Sequence, residues 1–210
     1  VPSKIIALTF DDGPDAAMTP RVLDRLEKYG VAATFFVIGK KVRGPAKPVM
    51  ERALGLGCEY GNHSWDHRPM DALARSDIER SVERTSEAIK AVTGESPKFF
   101  RPPFLAVGGG MYASIDLPFC GGLCANDWAG EGTSAQDRAD RILAGVEDGA
   151  IILLHDVQPE PHPTPEALDI LIPALKARGY EFSTMSGLFK QKGIDPASSA
   201  AKGKVWTFVG

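Results

Sequence analysis

Short apolar runs alternate with amphipathic stretches along almost the whole chain, and strands that alternate with helices imply a parallel sheet. The strand-like runs fall at 4–9, 32–38, 58–62, 98–101, 119–124, 150–155 and 180–184. Between them, Thr19-Pro20 reads as the N-cap and first position of a helix. That helix turns Val22, Leu23, Leu26 and Tyr29 inward and closes at Gly30. Ser76-Asp77-Ile78-Glu79 has the form of a capping box, with Ile78, Val82, Thr85, Ile89 and Val92 following at helical spacing. Ser134 opens a third helix carrying Ile142 and Val146. Thr164-Pro165 opens a fourth with Leu168, Leu171, Ile172 and Leu175 inside and Gly179 near its end. Seven such units favour a closed or nearly closed α/β barrel of about seven parallel strands over an open sheet. Residues 1–210 are read as a single domain, large enough to bury a full core. Only the stretch near 196–204 looks loose, and Val205-Trp206-Thr207-Phe208 either adds a late strand or packs that tail down.

Composition narrows the partners. Hydrophobic residues make up 43% and charged residues 24%, the globular norm, and the formal net charge of −3 gives no reason to expect nucleic acid or an acidic membrane. No apolar stretch approaches a membrane span, and no signal peptide precedes the first strand. Cys58, Cys120 and Cys124 are an odd number, so they imply no full disulfide framework. Small buried thiols fit better than a Cys120–Cys124 bridge, and without a paired C-x-x-C a structural zinc knuckle is not expected.

The chemistry-bearing residues gather at strand ends. Thr9-Phe10-Asp11-Asp12-Gly13-Pro14 sets two adjacent carboxylates where Ile5-Ile6-Ala7-Leu8 opens into a turn. Side chains alternate along a strand, so the two acids point apart and can take different tasks, one on a metal and one on a proton. The same residues are also ordinary turn formers. His63 and His67, four apart, stand on one face if the segment is a helical turn. With one aspartate they make a two-nitrogen, one-oxygen set that leaves positions open, as a catalytic metal requires. Two surface histidines are the plain alternative. His155 ends the strand Ile151-Ile152-Leu153-Leu154. The acid pair, the histidine pair, Arg101-Pro102-Pro103-Phe104, Asp127-Trp128 and His155 all occupy strand ends, where parallel barrels place their active sites at the C-terminal ends of the strands.

These segments (Thr-Phe-Asp-Asp-Gly-Pro, His-Ser-x-x-His, Arg-Pro-Pro-Phe, Asp-Trp and Leu-Leu-His-Asp) stand in the order found in polysaccharide deacetylases. From residue 9 to 156 the chain resembles that group, the NodB-homology domain or carbohydrate esterase family 4. The resemblance implies a distorted (β/α) barrel and a metal-dependent hydrolase that removes acetyl groups from acetylated polysaccharide. It implies that Asp12, His63 and His67 hold one divalent ion, zinc in the first instance, with cobalt or nickel in some relatives. Asp11 would be the general base, with Arg101 holding it ionised and oriented. The backbone N–H of Phe104 would join the metal in binding the oxyanion. His155 would protonate the leaving group, tuned by Asp127, and Trp128 and Leu153 would wall the acetyl pocket. An extracellular or cell-surface setting follows from the same resemblance, as a monomer or as a module of a larger chain.

Two departures stand out. Phe104 takes the place of a tyrosine usual in the third motif, and Cys124 stands where the fourth often has its first aspartate. Both suggest a more open groove and a lean toward the O-acetyl ester of xylan. The N-acetyl amide of chitin, chito-oligosaccharide or peptidoglycan is the alternative. A sugar-binding barrel without catalysis does not need Asp11, Arg101 and His155 together, and the lack of a basic phosphate cluster near the five motifs argues against a phosphodiesterase. Asp66 and Asp156 are expected to orient their neighbouring histidines, and Trp65 and Tyr112 either stack on sugar or pack. The proline-alternating segment 157–165 reads as a stiff loop beside His155, a spacer or a groove rim that brings His162 to substrate.

Overall fold

The computed structural model describes residues 4–129 and 133–210. In chain order its elements are β1 (Lys4–Asp11), α1 (Thr19–Tyr29), β2 (Thr34–Val37), α2 (Ala46–Gly55), β3 (Glu59–Asn62) and α3 (Arg75–Thr93). They continue with α4 (Met111–Ser114), β4 (Phe119–Cys120), β5 (Leu123–Cys124), α5 (Ala135–Gly145) and β6 (Ile151–His155). The last are α6 (Thr164–Ala177), β7 (Tyr180–Ser183), α7 (Met185–Gln191) and β8 (Val205–Trp206). The main sheet runs β3-β2-β1-β6-β5 with β7 also on β1, and every pairing between these strands is parallel. β4 and β8 form a second parallel pair. Single bridges carry the wall onward from Asn62 to Phe100 to Phe119, and from Ala150 to Phe208.

β1 shows why the wall has two dry faces. From Ile5 onward it is buried throughout, as strands covered on both sides are. Ile6, Leu8 and Phe10 pack outward into a core shared with Val22, Leu23 and Leu26 of α1 and Leu168, Leu171 and Leu175 of α6. Ile5 and Ala7 face inward, against Phe36, Phe99, Met185, Phe189 and Trp206. Fully burying one such large side chain contributes about 1.5–3 kcal/mol, so both faces anchor the strand. Thr9 and Asp11 continue the inward row toward the strand's C-terminal end, by the two-residue alternation of a strand. Met185, Leu188 and Phe189 of α7 pack with Ile5 and Ala7 in the inner cluster. The inward row therefore changes from apolar to polar as it approaches the site.

Several expected elements differ. The run 98–101 makes a bridge at Phe100 rather than a strand. The run 119–124 is split at Gly121-Gly122 into β4 and β5, because the Cys120 and Gly121 carbonyls turn to a buried guanidinium. No capping box starts α3: Ala74 is its N-cap without a side-chain bond, and Glu79 is taken by Arg75 at 2.6 Å. The box occurs on α5 instead, between Ser134 and Asp137. Thr19 and Thr164 are first helical residues rather than N-caps, and neither helix has a side-chain cap. The tail is partly ordered, with a 3-10 turn at Ser199–Ala201 and Trp206 packed down in β8. All three cysteines are free thiols, two of them buried.

Candidate active site

Asp11 ends β1 directly beside His155 in β6, their Cα positions paired in register. The fully buried Arg101 reaches Asp11 Oδ1 with Nη1 at 2.6 Å. Its other nitrogens donate to the carbonyls of Gly121 (2.7 Å) and Cys120 (3.2 Å), and its guanidinium lies 4.1 Å from the Phe36 ring centre. A permanently charged group held this tightly fixes one oxygen of Asp11 and leaves Oδ2 facing the site.

Asp12, one residue on, leaves the strand with a φ of +77°. Gly13 follows because its backbone N–H donates to Asp156 Oδ1 at 3.1 Å, and any Cβ there would stand 2.3 Å from Asp156 Oδ2. Asp156 thus holds this turn, together with Thr19, and does not orient His155 as expected. Burial pushes its carboxyl up to about 7, with Thr19 opposing and Asp12 adding.

The two histidines converge from a loop, not from a helical turn. Ser64 and His67 both take left-handed φ values of +67° and +61°. Side chains pin this path: Asn62 Oδ1 accepts the Ser64 N–H (2.9 Å), Ser64 Oγ accepts the His67 N–H (3.1 Å), and Ser81 on α3 accepts the Trp65 N–H (2.9 Å). His63 Nδ1 lies 2.7 Å from the Arg101 carbonyl, so it carries the proton and Nε2 presents its lone pair. Burial pulls His63 down to about 3, with Asp12 opposing, which keeps it neutral as a ligand must be. His63 Nε2 and His67 Nε2 stand 3.6 and 3.3 Å from Asp12 Oδ1. One donor atom from each of Asp12, His63 and His67 lies within 4.8 Å of the others. Asp12 Oδ1 is buried with no hydrogen-bond partner among the described residues, and an orphaned carboxylate oxygen facing two imidazoles fits a divalent cation.

Across the cleft, His155 Nδ1 lies 2.8 Å from Asp127 Oδ1, and its backbone N–H donates to Asp127 Oδ2 at 2.7 Å. Burial pulls the His155 imidazole down, but the Asp127 hydrogen bond and charge, with Asp11 and Asp12 added, carry it up to about 9. Burial likewise works against Asp127, yet its bonds from His155 and Thr164 hold it below the usual carboxylate range.

Asp11, Asp12, His63, His67, Phe104, Leu153 and His155 come together around one cleft of about 640 Å³, with Trp128 and Cys124 on its wall. Phe104 and Trp128 are 66% and 59% exposed, and Phe104 sets its ring edge-on to His67 at 4.7 Å. Among the described residues, the non-glycine positions with positive φ are Asp12, Ser64, His67, Phe104, Leu105 and Asn126. All but Ser64 line this cleft, and Ser64 belongs to the histidine loop. Backbone strain concentrated at one place is the mark of a site that the surrounding fold pays to maintain.

Other candidates stand apart. His162 is 2% exposed and cannot touch substrate from there. Trp65 stacks under Arg84, Tyr112 packs on Phe119, and Asp66 faces Arg68 rather than a histidine. No local motif announces Gln158: its Nε2 donates to Asp12 Oδ2 at 3.1 Å across a separation of 146 residues.

Residues 1–114 match the family model described as polysaccharide deacetylase. This chain belongs to the polysaccharide deacetylase family. Among solved deacetylases, a family 4 acetyl xylan esterase from Clostridium thermocellum in complex with a cobalt ion is 49% identical and superposes with a TM-score of 0.95. That match covers 98% of this chain and 99% of the esterase. A bifunctional xylanase/deacetylase of Pseudobutyrivibrio xylanivorans is 45% identical over 206 residues, which are 98% of this chain and 33% of that protein. A peptidoglycan-N-acetylglucosamine deacetylase of Listeria monocytogenes is 37% identical over 192 residues, 90% of this chain and 40% of that protein. This chain thus spans a third to two-fifths of the length of these curated relatives. Among the described residues no helix is long and apolar enough to cross a membrane.

Proposed function

We propose that this chain is a metal-dependent carbohydrate deacetylase that acts on O-acetylated xylan. The observation that carries the reading is the juxtaposition, in one cleft, of an Arg101-clamped Asp11, the Asp12/His63/His67 donor set and the Asp127-bound His155. Asp12, His63 and His67 would hold one divalent ion, zinc by the donor set with cobalt or nickel as substitutes, and bound there it would supply Lewis acidity toward water and the acyl oxygen. Asp11 Oδ2, its partner oxygen fixed by Arg101, takes the proton of the attacking water. The Phe104 N–H donates to the developing oxyanion, a contribution of about 3–4 kcal/mol where such a donor has been removed. Leu153 and Trp128 wall the space for the acetyl methyl. His155 keeps Nδ1–H on Asp127 and delivers a proton from Nε2 to the leaving oxygen, with general acid catalysis worth about 10²–10⁴ in rate.

Two observations support xylan: the relatives named for it are 45% and 49% identical, and the aromatic rim at Phe104 and Trp128 is open to solvent. One favours amide cleavage instead. The strongly raised His155 suits the firmer protonation that a leaving nitrogen needs, as in a peptidoglycan or chitin N-deacetylase. Residues 1–210 form one deacetylase module, working outside the cell or at its surface, as a monomer or as part of a longer polypeptide. The deciding experiment measures acetate release side by side on acetylxylan and on N-acetylglucosamine oligomers, with zinc, with cobalt and after chelation. Faster release from acetylxylan, lost with chelator and restored by metal, is the expected outcome. Release from the oligomers alone replaces the ester by the amide, and metal-independent release removes the mechanism.

A further inference from the structure

Thr164 carries the sequence signature of a helix cap but caps nothing: the N-cap of α6 is Pro163, and no side chain caps the helix. Its hydroxyl is instead fully buried between two charged groups, 2.9 Å from Asp127 Oδ2 and 2.7 Å from Arg138 Nη1. A guanidinium can only donate and a carboxylate can only accept, so the Thr164 proton must point at Asp127. Arg138, on α5, is 1% exposed, and its Nε donates to Thr133 Oγ1 at 3.1 Å. Its Nη2 is buried and has no partner among the described residues. An apolar residue of similar volume would fill that place at less cost than a half-satisfied cation, so stability alone does not account for Arg138.

We infer that Thr164 and Arg138 are positioning residues for the proton donor: the chain Arg138–Thr164–Asp127 fixes the Asp127 carboxylate so that Oδ1 stays on His155 Nδ1. The assignment deepens the deacetylase reading and rests on it. Asp127 Oδ2 holds two donors, the Thr164 hydroxyl and the His155 N–H. Without the hydroxyl, Oδ2 keeps one, the carboxylate turns about its terminal torsion, and the imidazole loses its fixed direction.

The test compares Thr164→Val, nearly the same shape without the hydroxyl, with Thr164→Ser, which restores it, in the full chain loaded with zinc. Two quantities are read: kcat and KM for an acetylated ester, and the low-field proton resonance of a carboxylate-bound imidazole N–H, assigned by its loss in His155→Ala. Thr164→Val is expected to lower kcat about tenfold with KM unchanged and to abolish or shift the resonance, while Thr164→Ser recovers both. A resonance and kcat untouched in Thr164→Val overturn the inference, as do equal losses in both variants or a wild type without the resonance. If the wild type releases no acetate from any acetylated glycan, the deacetylase reading fails separately, and the resonance alone decides the positioning. Should Thr164→Val not fold, Arg138→Met makes the same measurement, with a lost or shifted resonance in support and an unchanged one against.

Discussion

On the β1–β3 side of the cleft Asp12 Oδ1 is buried with no hydrogen-bond partner among the described residues, whereas on the β5–β6 side both oxygens of Asp127 are occupied by donors. The two carboxylates are built for opposite ends. An orphaned oxygen beside two imidazoles is costly until a cation takes it, so that half of the site is organised for a ligand. A satisfied carboxylate asks for nothing further and transmits its charge to one imidazole, so that half is organised for a proton. The burial directions agree. His63 has no compensating hydrogen bond to an acid and falls to about 3, while His155 has one and rises to about 9. A fully buried histidine and a partly buried one are thereby driven apart, the first by burial and the second by its carboxylate partner.

The strongest way to break this comparison is to remove one half at a time. Asp12→Ala and His63→Ala are expected to abolish zinc binding, seen in the metal content of the purified protein, and to abolish turnover with it. Asp11→Asn and His155→Ala should retain the metal and the fold while acetate release falls by about 10²–10⁴ for the loss of a general base or acid. Metal retained by His63→Ala, or lost from His155→Ala, would show that the halves are not separate.

A smaller effect sharpens the proton side. In Asp127→Asn the charge that lifts His155 is gone while its burial persists, so its pKa should fall. With His155 as the proposed proton donor, turnover would decline as pH rises through that value, so the alkaline limb of the rate profile is expected at lower pH in the variant. A loaded dication shifts both proteins alike, which makes the difference between them the informative quantity. Stability follows the same pair. A raised His155 stabilises the fold fully below its ordinary 6.5, and that contribution is lost as pH climbs through about 9. A lowered Asp127 stabilises the fold above its ordinary 3.8, and that share is lost as pH falls through its still lower folded value. Urea unfolding should therefore find the cost of Asp127→Asn largest near pH 6 and smaller near pH 10, both rough settings on either side of the His155 titration. A cost independent of pH would detach the ion pair from stability.

The metal half was the more legible in the sequence. β1 announces itself as an unbroken apolar run, parallel pairing aligns its end with that of β6, and residues in short motifs at strand ends must then meet. The fine path was not legible. Four-residue spacing suggested a helical turn, but Asn62, Ser64 and Ser81 bond the loop backbone and hold φ values that no periodicity signals. The proton half depended on contacts between distant segments. Thr164 wrote the signature of a cap and was used by Asp127, and His162 sat in a polar, proline-rich stretch yet went under the surface. Local grammar describes what a residue can do next to its neighbours, and tertiary packing then reassigns it.

Gln158 offers the mildest test, because it acts on the metal half from the loop that follows the proton half. Its Nε2 donates to Asp12 Oδ2 at 3.1 Å, and Lys41 Nζ donates to the Asp12 backbone carbonyl at 2.7 Å. Together they fix the residue so that Oδ1 is the oxygen turned to the histidines. Gln158→Ala frees the carboxylate to rotate without removing a ligand, and zinc affinity measured by competition with a chelator should weaken about tenfold, or roughly 1.4 kcal/mol. Gln158→Glu places an anion against Asp12 and should spoil the geometry of the metal-free site, yet its added charge attracts a cation. A gain in affinity there, beside a loss in Gln158→Ala, would show charge and orientation acting separately on one oxygen. If Gln158→Ala binds zinc as the wild type does, the strained backbone at Asp12, with its φ of +77°, suffices to aim the carboxylate, and the two halves share no tie through this loop.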